Sequence, residues 1–203
     1  MTRLNSFCSF LCGLYFFSAF VVISQVATAA GVAGDEQMRE VMLQNFVNTI
    51  EHNIALNEQN LQNNAPVLSS FHSVSPPTIP IADYTRRIVS YSNCSIAAII
   101  LALEYIARFV NGHPEFTLSR TSAHRLVLTA FRLSTKFADD FHLNNATFGQ
   151  IGGVSPDEMN RLELELLGAI NFDLGLLPHD ASNHEAINPN CEEGDRCLPQ
   201  NDL

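Results

Sequence analysis

The sequence predicts an all-α protein, with five helices packed into one domain and a separate amphipathic helix ahead of them. Three observations predict it. Apolar residues recur at three- and four-residue spacing through most of 35–172. One run, Ile96 to Val110, is apolar on nearly every face, so it must be surrounded by other helices. Capping and breaking residues stand between the periodic runs where helix ends are expected. At 203 residues, 46% hydrophobic and 16% charged, the chain can bury a core of ordinary domain size. Its net charge of −10 argues against a general nucleic-acid binder, which carries a basic footprint. Ten of the eleven basic residues are arginine, and Lys136 is the single lysine.

Residues 1–34 form an apolar leader. No charged side chain occurs over 4–34, Arg3 precedes the 17-residue stretch Phe7 to Ile23, and Ala27-Thr28-Ala29 follows it. That is the layout of a secretory signal, and the apolar stretch is short of the ~20 residues of a membrane span. Three readings stay open: a signal, an anchor, or a non-native extension upstream of a start near Met38 or Met42.

The segment 35–61 reads as one amphipathic helix. Met38, Met42, Phe46, Ile50 and Ile54 form its stripe, widened by Leu43 and Val47, and Asp35 and Glu36 suit the positive end of the helix dipole. Residues 62–80 hold four prolines among polar turn formers and read as a linker.

The domain proper spans 81–172. Ile81, Tyr84, Ile88 and Tyr91 fit a first short helix, and Asn93 to Ser95 offers the cap for the second. Asn111-Gly112-His113-Pro114 ends that second helix. A third helix from about Ser119 to Ala138 puts Leu126, Ala130, Leu133 and Phe137 on one face. A fourth, near 145–150, stops at Gly152-Gly153. Ser155-Pro156-Asp157-Glu158 opens the fifth with a capping serine, a proline at the first helical position and a glutamate three after the cap. Met159, Leu162, Leu166 and Ile170 carry it toward Phe172. Residues 173–203 form an acidic tail that supplies −6 of the −10 and is expected to be disordered. The 31 residues after Phe172 are too few for a second domain of this kind.

Catalytic chemistry is hard to find. His113, His124, His142, His179 and His184 do not pair with each other or with cysteine at metal-ligand spacing. Asp139 and Asp140 are adjacent, so on a helix they point about 100° apart and do not converge on one substrate. No Gly-rich phosphate loop and no nucleophile elbow is present. A non-enzyme is expected. Cys8, Cys12, Cys94, Cys191 and Cys197 leave the redox compartment open, and the sequons at Asn93 and Asn145 would matter only in a secretory lumen.

Read in order, several short motifs have a family likeness. They are Tyr84-Thr85-Arg86-Arg87-Ile88, Tyr91-Ser92-Asn93-Cys94-Ser95 and Glu104-Tyr105-Ile106-Ala107-Arg108-Phe109, then His124-Arg125-Leu126 and Lys136-Phe137-Ala138-Asp139-Asp140. Asn144-Asn145-Ala146, Ile151-Gly152-Gly153-Val154-Ser155, the run Glu158 to Glu165, and Asn171-Phe172-Asp173-Leu174 complete the set. Together they resemble a single cyclin box over 81–172. The box is most similar to that of the plant U-type or P-type cyclins, relatives of the yeast phosphate-response cyclin.

The resemblance implies a five-helix cyclin box and a regulatory subunit that binds and activates a cyclin-dependent protein kinase, in cell-cycle or phosphate-related signalling. It implies no cofactor, metal, small-molecule ligand or nucleic acid, and location in nucleus or cytoplasm. By motif position, Lys136 on the third box helix and Glu163 on the fifth would grip the kinase. Arg87, Arg108, Phe137 and Asp140 would be structural residues of the box. The family usually carries Asp where Ala107 stands, paired with an Arg of the first helix, so Arg87 is expected to need another acceptor or solvent. The leader, the sequons and Ala107 motivate a different expectation, an exported or membrane-tethered interaction protein with a cyclin fold and no kinase role.

Overall fold

A computed structural model describes residues 34–61 and 69–175. The leader at 1–33, residues 62–68 of the linker and the tail from 176 onward lie outside the described residues. So do Cys8, Cys12, Cys191, Cys197, His179 and His184.

The described residues form six helices and no strand: α1 (Asp35–Leu61), α2 (Ile81–Ser92), α3 (Ile96–Gly112), α4 (Ala123–Ala138), α5 (Asn145–Gly152) and α6 (Pro156–Ala169). The all-α expectation holds, with α2–α6 as the five box helices. In α1 the stripe Leu43, Phe46, Val47, Ile50 and Ile54 is buried against α2 and α3. Its Phe46 ring lies 5.0 Å from that of Phe131 in α4. Arg39 Nη2 donates to the Val89 carbonyl at 3.2 Å, and Arg86 Nη2 donates to Gln44 Oε1 at 2.8 Å. This first helix is therefore part of the domain core.

Residues 69–80, read from sequence as linker, are pinned to the domain. Phe71 is completely buried, with ring centroids 5.1 Å from Phe109 and 6.3 Å from Phe116. The Ser73 amide donates to the Thr121 carbonyl at 2.8 Å. One aromatic placed in a core aromatic cluster outweighs the turn-forming composition around it.

Local chemistry sets the helix ends. Ser95 Oγ accepts from the Ala98 amide at 3.1 Å and starts α3. Helix α4 begins at Ala123, four residues later than periodicity suggests, because Ser119–Ser122 close a turn in which the Ser119 amide donates to Ser122 Oγ at 2.9 Å. Asn144 Oδ1 accepts from the Thr147 amide at 2.8 Å and starts α5. Gly153, at φ 76°, ends it in the left-handed region that glycine adopts without strain. Ser155 Oγ accepts from the Glu158 amide at 3.1 Å to start α6.

Helix α3 is buried along its apolar run, but α4 is enclosed more fully still. From Ala123 to Thr135 every residue except Arg125 is buried. Its buried hydroxyl side chains bond within the helix. Thr129 Oγ1 donates to the Arg125 carbonyl at 2.7 Å, Ser134 Oγ to that of Phe131 at 3.1 Å, and Thr135 Oγ1 to that of Arg132 at 3.1 Å. Bonds back to the preceding turn let hydroxyls sit in a core without outside partners.

Candidate partner-binding site

Helices α4, α5 and α6 meet around one charged cluster. Lys136 stands in the last turn of α4 and Glu163 in the middle of α6. Their alignment depends on α5, which packs against both. Gly152 lets α5 approach closely: a Cβ there would lie 2.2 Å from Leu128 Cδ2 on α4. Arg125 orients the start of α6 through an ion pair with Glu158 at 2.7 Å, while its Nη1 donates to the His72 carbonyl at 2.6 Å.

The Lys136 ammonium donates directly to Glu163 Oε1. The pair is asymmetric: the lysine side chain is 34% exposed and the glutamate only 8%. The other carboxylate oxygen, Oε2, accepts from Asn145 Nδ2 at 2.7 Å, and the same amide nitrogen donates to Asn160 Oδ1 at 2.5 Å. Asn145 Oδ1 accepts from Arg132 Nε. Arg132 is itself 2% exposed, with its guanidinium carbon 5.5 Å from the centre of the Phe148 ring. Burial lowers the Arg132 pKa from its ordinary value, and the Glu163 charge opposes that shift.

An apolar rim borders this cluster. Phe137 and Leu164, the chain neighbours of Lys136 and Glu163, are 53% and 67% exposed, and Phe141 just beyond α4 is 97% exposed. Exposed aromatic and aliphatic side chains beside a partly buried ion pair are the make-up of a protein-binding surface. The cluster offers ammonium donors, carboxylate acceptors and apolar contact area. Among the described residues no group of three His, Cys, Asp or Glu side chains gathers to hold a metal ion.

The structure thus brings Lys136 and Glu163 together. Arg108 is also engaged. It pairs with Glu104 at 2.9 Å and with Asp173 at 3.2 Å, and it donates to the carbonyls of Asp173 and Gly175 at 2.6 and 2.5 Å. The other three residues assigned to the box framework lie on its surface. Arg87 is exposed while Ala107 is buried among apolar neighbours, so the missing Asp leaves no buried cation behind. Phe137, grouped with the core by periodicity, lies instead in the exposed last turn of α4. Asp140 is exposed in the bend after α4, and its neighbour Asp139 makes the framework contact, accepting from the Ser95 amide at 3.3 Å. Tyr91 likewise faces solvent at the end of α2.

Arg132 and Asn145 were not singled out as site residues by sequence. The signal for Arg132 was its place one turn before Lys136 within an apolar run. Asn145 stands in the sequence as a sequon acceptor and in the Asn144-Asn145-Ala146 motif, with no site role attached, and its Nδ2 is engaged with Glu163 and Asn160.

A family model described as Cyclin matches residues 35–174, more than half of the chain. The chain belongs to the cyclin family. It is 39% identical over 112 residues to Cyclin-U4-1 of Arabidopsis thaliana, covering 55% of each chain. It is 36% identical over 123 residues to Cyclin-P4-1 of Oryza sativa subsp. japonica, covering 61% of this chain and 58% of that one. With Cyclin-U3-1 of Arabidopsis thaliana it shares 34% identity over 145 residues, 70% of this chain and 65% of the relative. The chain spans about half the length of the first of these curated relatives. The cyclin match begins with α1, which the structure also packs into the core.

Proposed function

We propose that this cyclin-family chain is a regulatory subunit that binds and activates a cyclin-dependent protein kinase. The observation that carries the reading is the Lys136–Glu163 pair held at the surface of α4 and α6 within an apolar rim. A lysine ammonium has three donors and uses one on Glu163, so two are free for carbonyls of a partner. The carboxylate accepts from backbone amides, and Phe137, Phe141 and Leu164 supply buried area on docking.

Activation follows from where a cyclin docks. A partner that contacts the kinase only when its mobile αC helix is turned inward shifts the population toward that arrangement. The inward arrangement completes the internal Lys–Glu ion pair that phosphoryl transfer needs. The chain then acts in the nucleus or cytoplasm, in cell-cycle or phosphate-related signalling, and carries out no chemistry of its own. The test is co-purification of the full chain with cyclin-dependent kinases, followed by a phosphorylation assay. A stable complex with raised kinase activity supports the reading. A helical chain that stimulates no such kinase refutes it.

A further inference from the structure

Arg132 carries a charge that the partner surface does not use. It is 2% exposed, Nη1 is buried with no hydrogen-bond partner, and its bond through Nε goes to a neutral amide. A buried guanidinium needs compensation, and here it comes through Asn145. The Asn145 amide stands between Arg132 and Glu163, with its oxygen on Nε and its nitrogen on Oε2. A guanidinium can only donate and a carboxylate can only accept, so this orientation of the amide is the one that satisfies both. The amide dipole therefore lies aligned between a buried cation and a nearly buried anion.

We propose that Arg132 and Asn145 are positioning residues for the partner-binding pair: Asn145 fixes the Glu163 carboxylate, and Arg132 is the buried counter-charge that keeps it in place when Lys136 turns away to a partner. The identity of that partner rests on the kinase reading, whereas the positioning role is a property of the free chain. Lys136 can offer its two free donors while closed on Glu163, but a partner that draws the ammonium toward its own carbonyls loosens that contact. Left with no nearby cation at all, a carboxylate with 8% of its side chain exposed would be strongly destabilised. With Arg132 and Asn145 beside it, Glu163 keeps one compensating charge and one donor through the exchange.

The chain's composition makes this testable. Lys136 is the single lysine, so full-length protein labelled with 15Nζ-lysine gives one side-chain ammonium resonance. Glu163→Gln sets the position of that resonance without its carboxylate partner. Arg132→Met and Asn145→Ala should each move it toward that position, although no hydrogen bond joins either residue to Lys136. Each should also weaken kinase binding about tenfold, the scale of one hydrogen bond to a charged group, with helicity by circular dichroism unchanged. Asn145 is only partly buried, so its variant keeps the test alive if Arg132→Met does not fold. A resonance unmoved by a folded variant overturns the positioning role, and a moved resonance with full kinase affinity overturns its link to partner binding. A moved resonance in a protein whose wild type binds no kinase overturns the kinase reading and leaves the positioning role standing.

Discussion

Removing either member of the Lys136–Glu163 pair should have unequal consequences for stability. In Lys136→Met the lost charge is one-third exposed, and Glu163 retains its bond from Asn145 and the nearby charge of Arg132. The loss is one partly solvated ion pair, about 0.5–1 kcal/mol. Glu163→Gln removes the anion that serves two cations. Lys136 can turn to water, but Arg132 cannot, so a buried guanidinium is left with only amide partners. Breaking a fully buried pair costs ~3–5 kcal/mol, and discounting for the exposed lysine leaves about 2–3 kcal/mol. The double variant should lose about as much as Glu163→Gln alone, because Lys136 has nothing left to pair with. Urea unfolding at pH 7 measures all three. Equal losses in the single variants, or a larger loss for Lys136→Met, would refute the idea that Glu163 is the centre of the cluster.

Other outcomes follow from separate parts of the molecule. Gly152→Ala places a methyl group 2.2 Å from Leu128 Cδ2, and should destabilise by about 1–2 kcal/mol after the gain in helix propensity is counted. Adding Leu128→Ala should relieve the clash, so additive losses in the double variant would count against that contact. Burial lowers the pKa of both His72 and His124, leaving them neutral in the folded chain. Their contribution to stability is complete above the unfolded value near 6.5 and falls as pH drops toward their folded values. The slope is at most ~1.4 kcal/mol per pH unit for each histidine. His124→Gln should flatten the dependence of the urea midpoint between pH 6.5 and 5, and an unchanged slope would show that His124 is not the source. Phe137→Ser and Phe141→Ser remove exposed rings, so each should leave the unfolding midpoint within about 0.5 kcal/mol of wild type while weakening kinase capture. Wild-type affinity in both variants would remove the apolar rim from the interface.

Much of the fold was legible because its helices announce themselves locally. The α1 stripe, the serine caps at 95 and 155 and the left-handed stop at Gly153 are properties of short segments, and each operates as its chemistry suggests. The failures share another cause. Periodicity identifies a helix face but not whether a neighbour covers it, so Tyr91 and Phe137 fit apolar stripes yet face solvent. The converse applies to Thr129, Ser134 and Thr135, which look like surface residues but bond to their own helix inside the core. Phe71 was obscured by the prolines around it, since one buried ring leaves no periodic trace. For the site, motif position pointed to Lys136 and Glu163. The path from Glu163 through Asn145 to Arg132 exists only once three helices are packed.

The Lys136–Glu163 surface is proposed to capture and activate a cyclin-dependent kinase. Its most direct test is kinase activity titrated with full-length chain, wild type against Lys136→Ala/Glu163→Ala, at matched helicity. The wild type should give saturable stimulation, and the double substitution should raise the half-saturating concentration at least tenfold. Equal stimulation by both proteins, or none by the wild type, would contradict it.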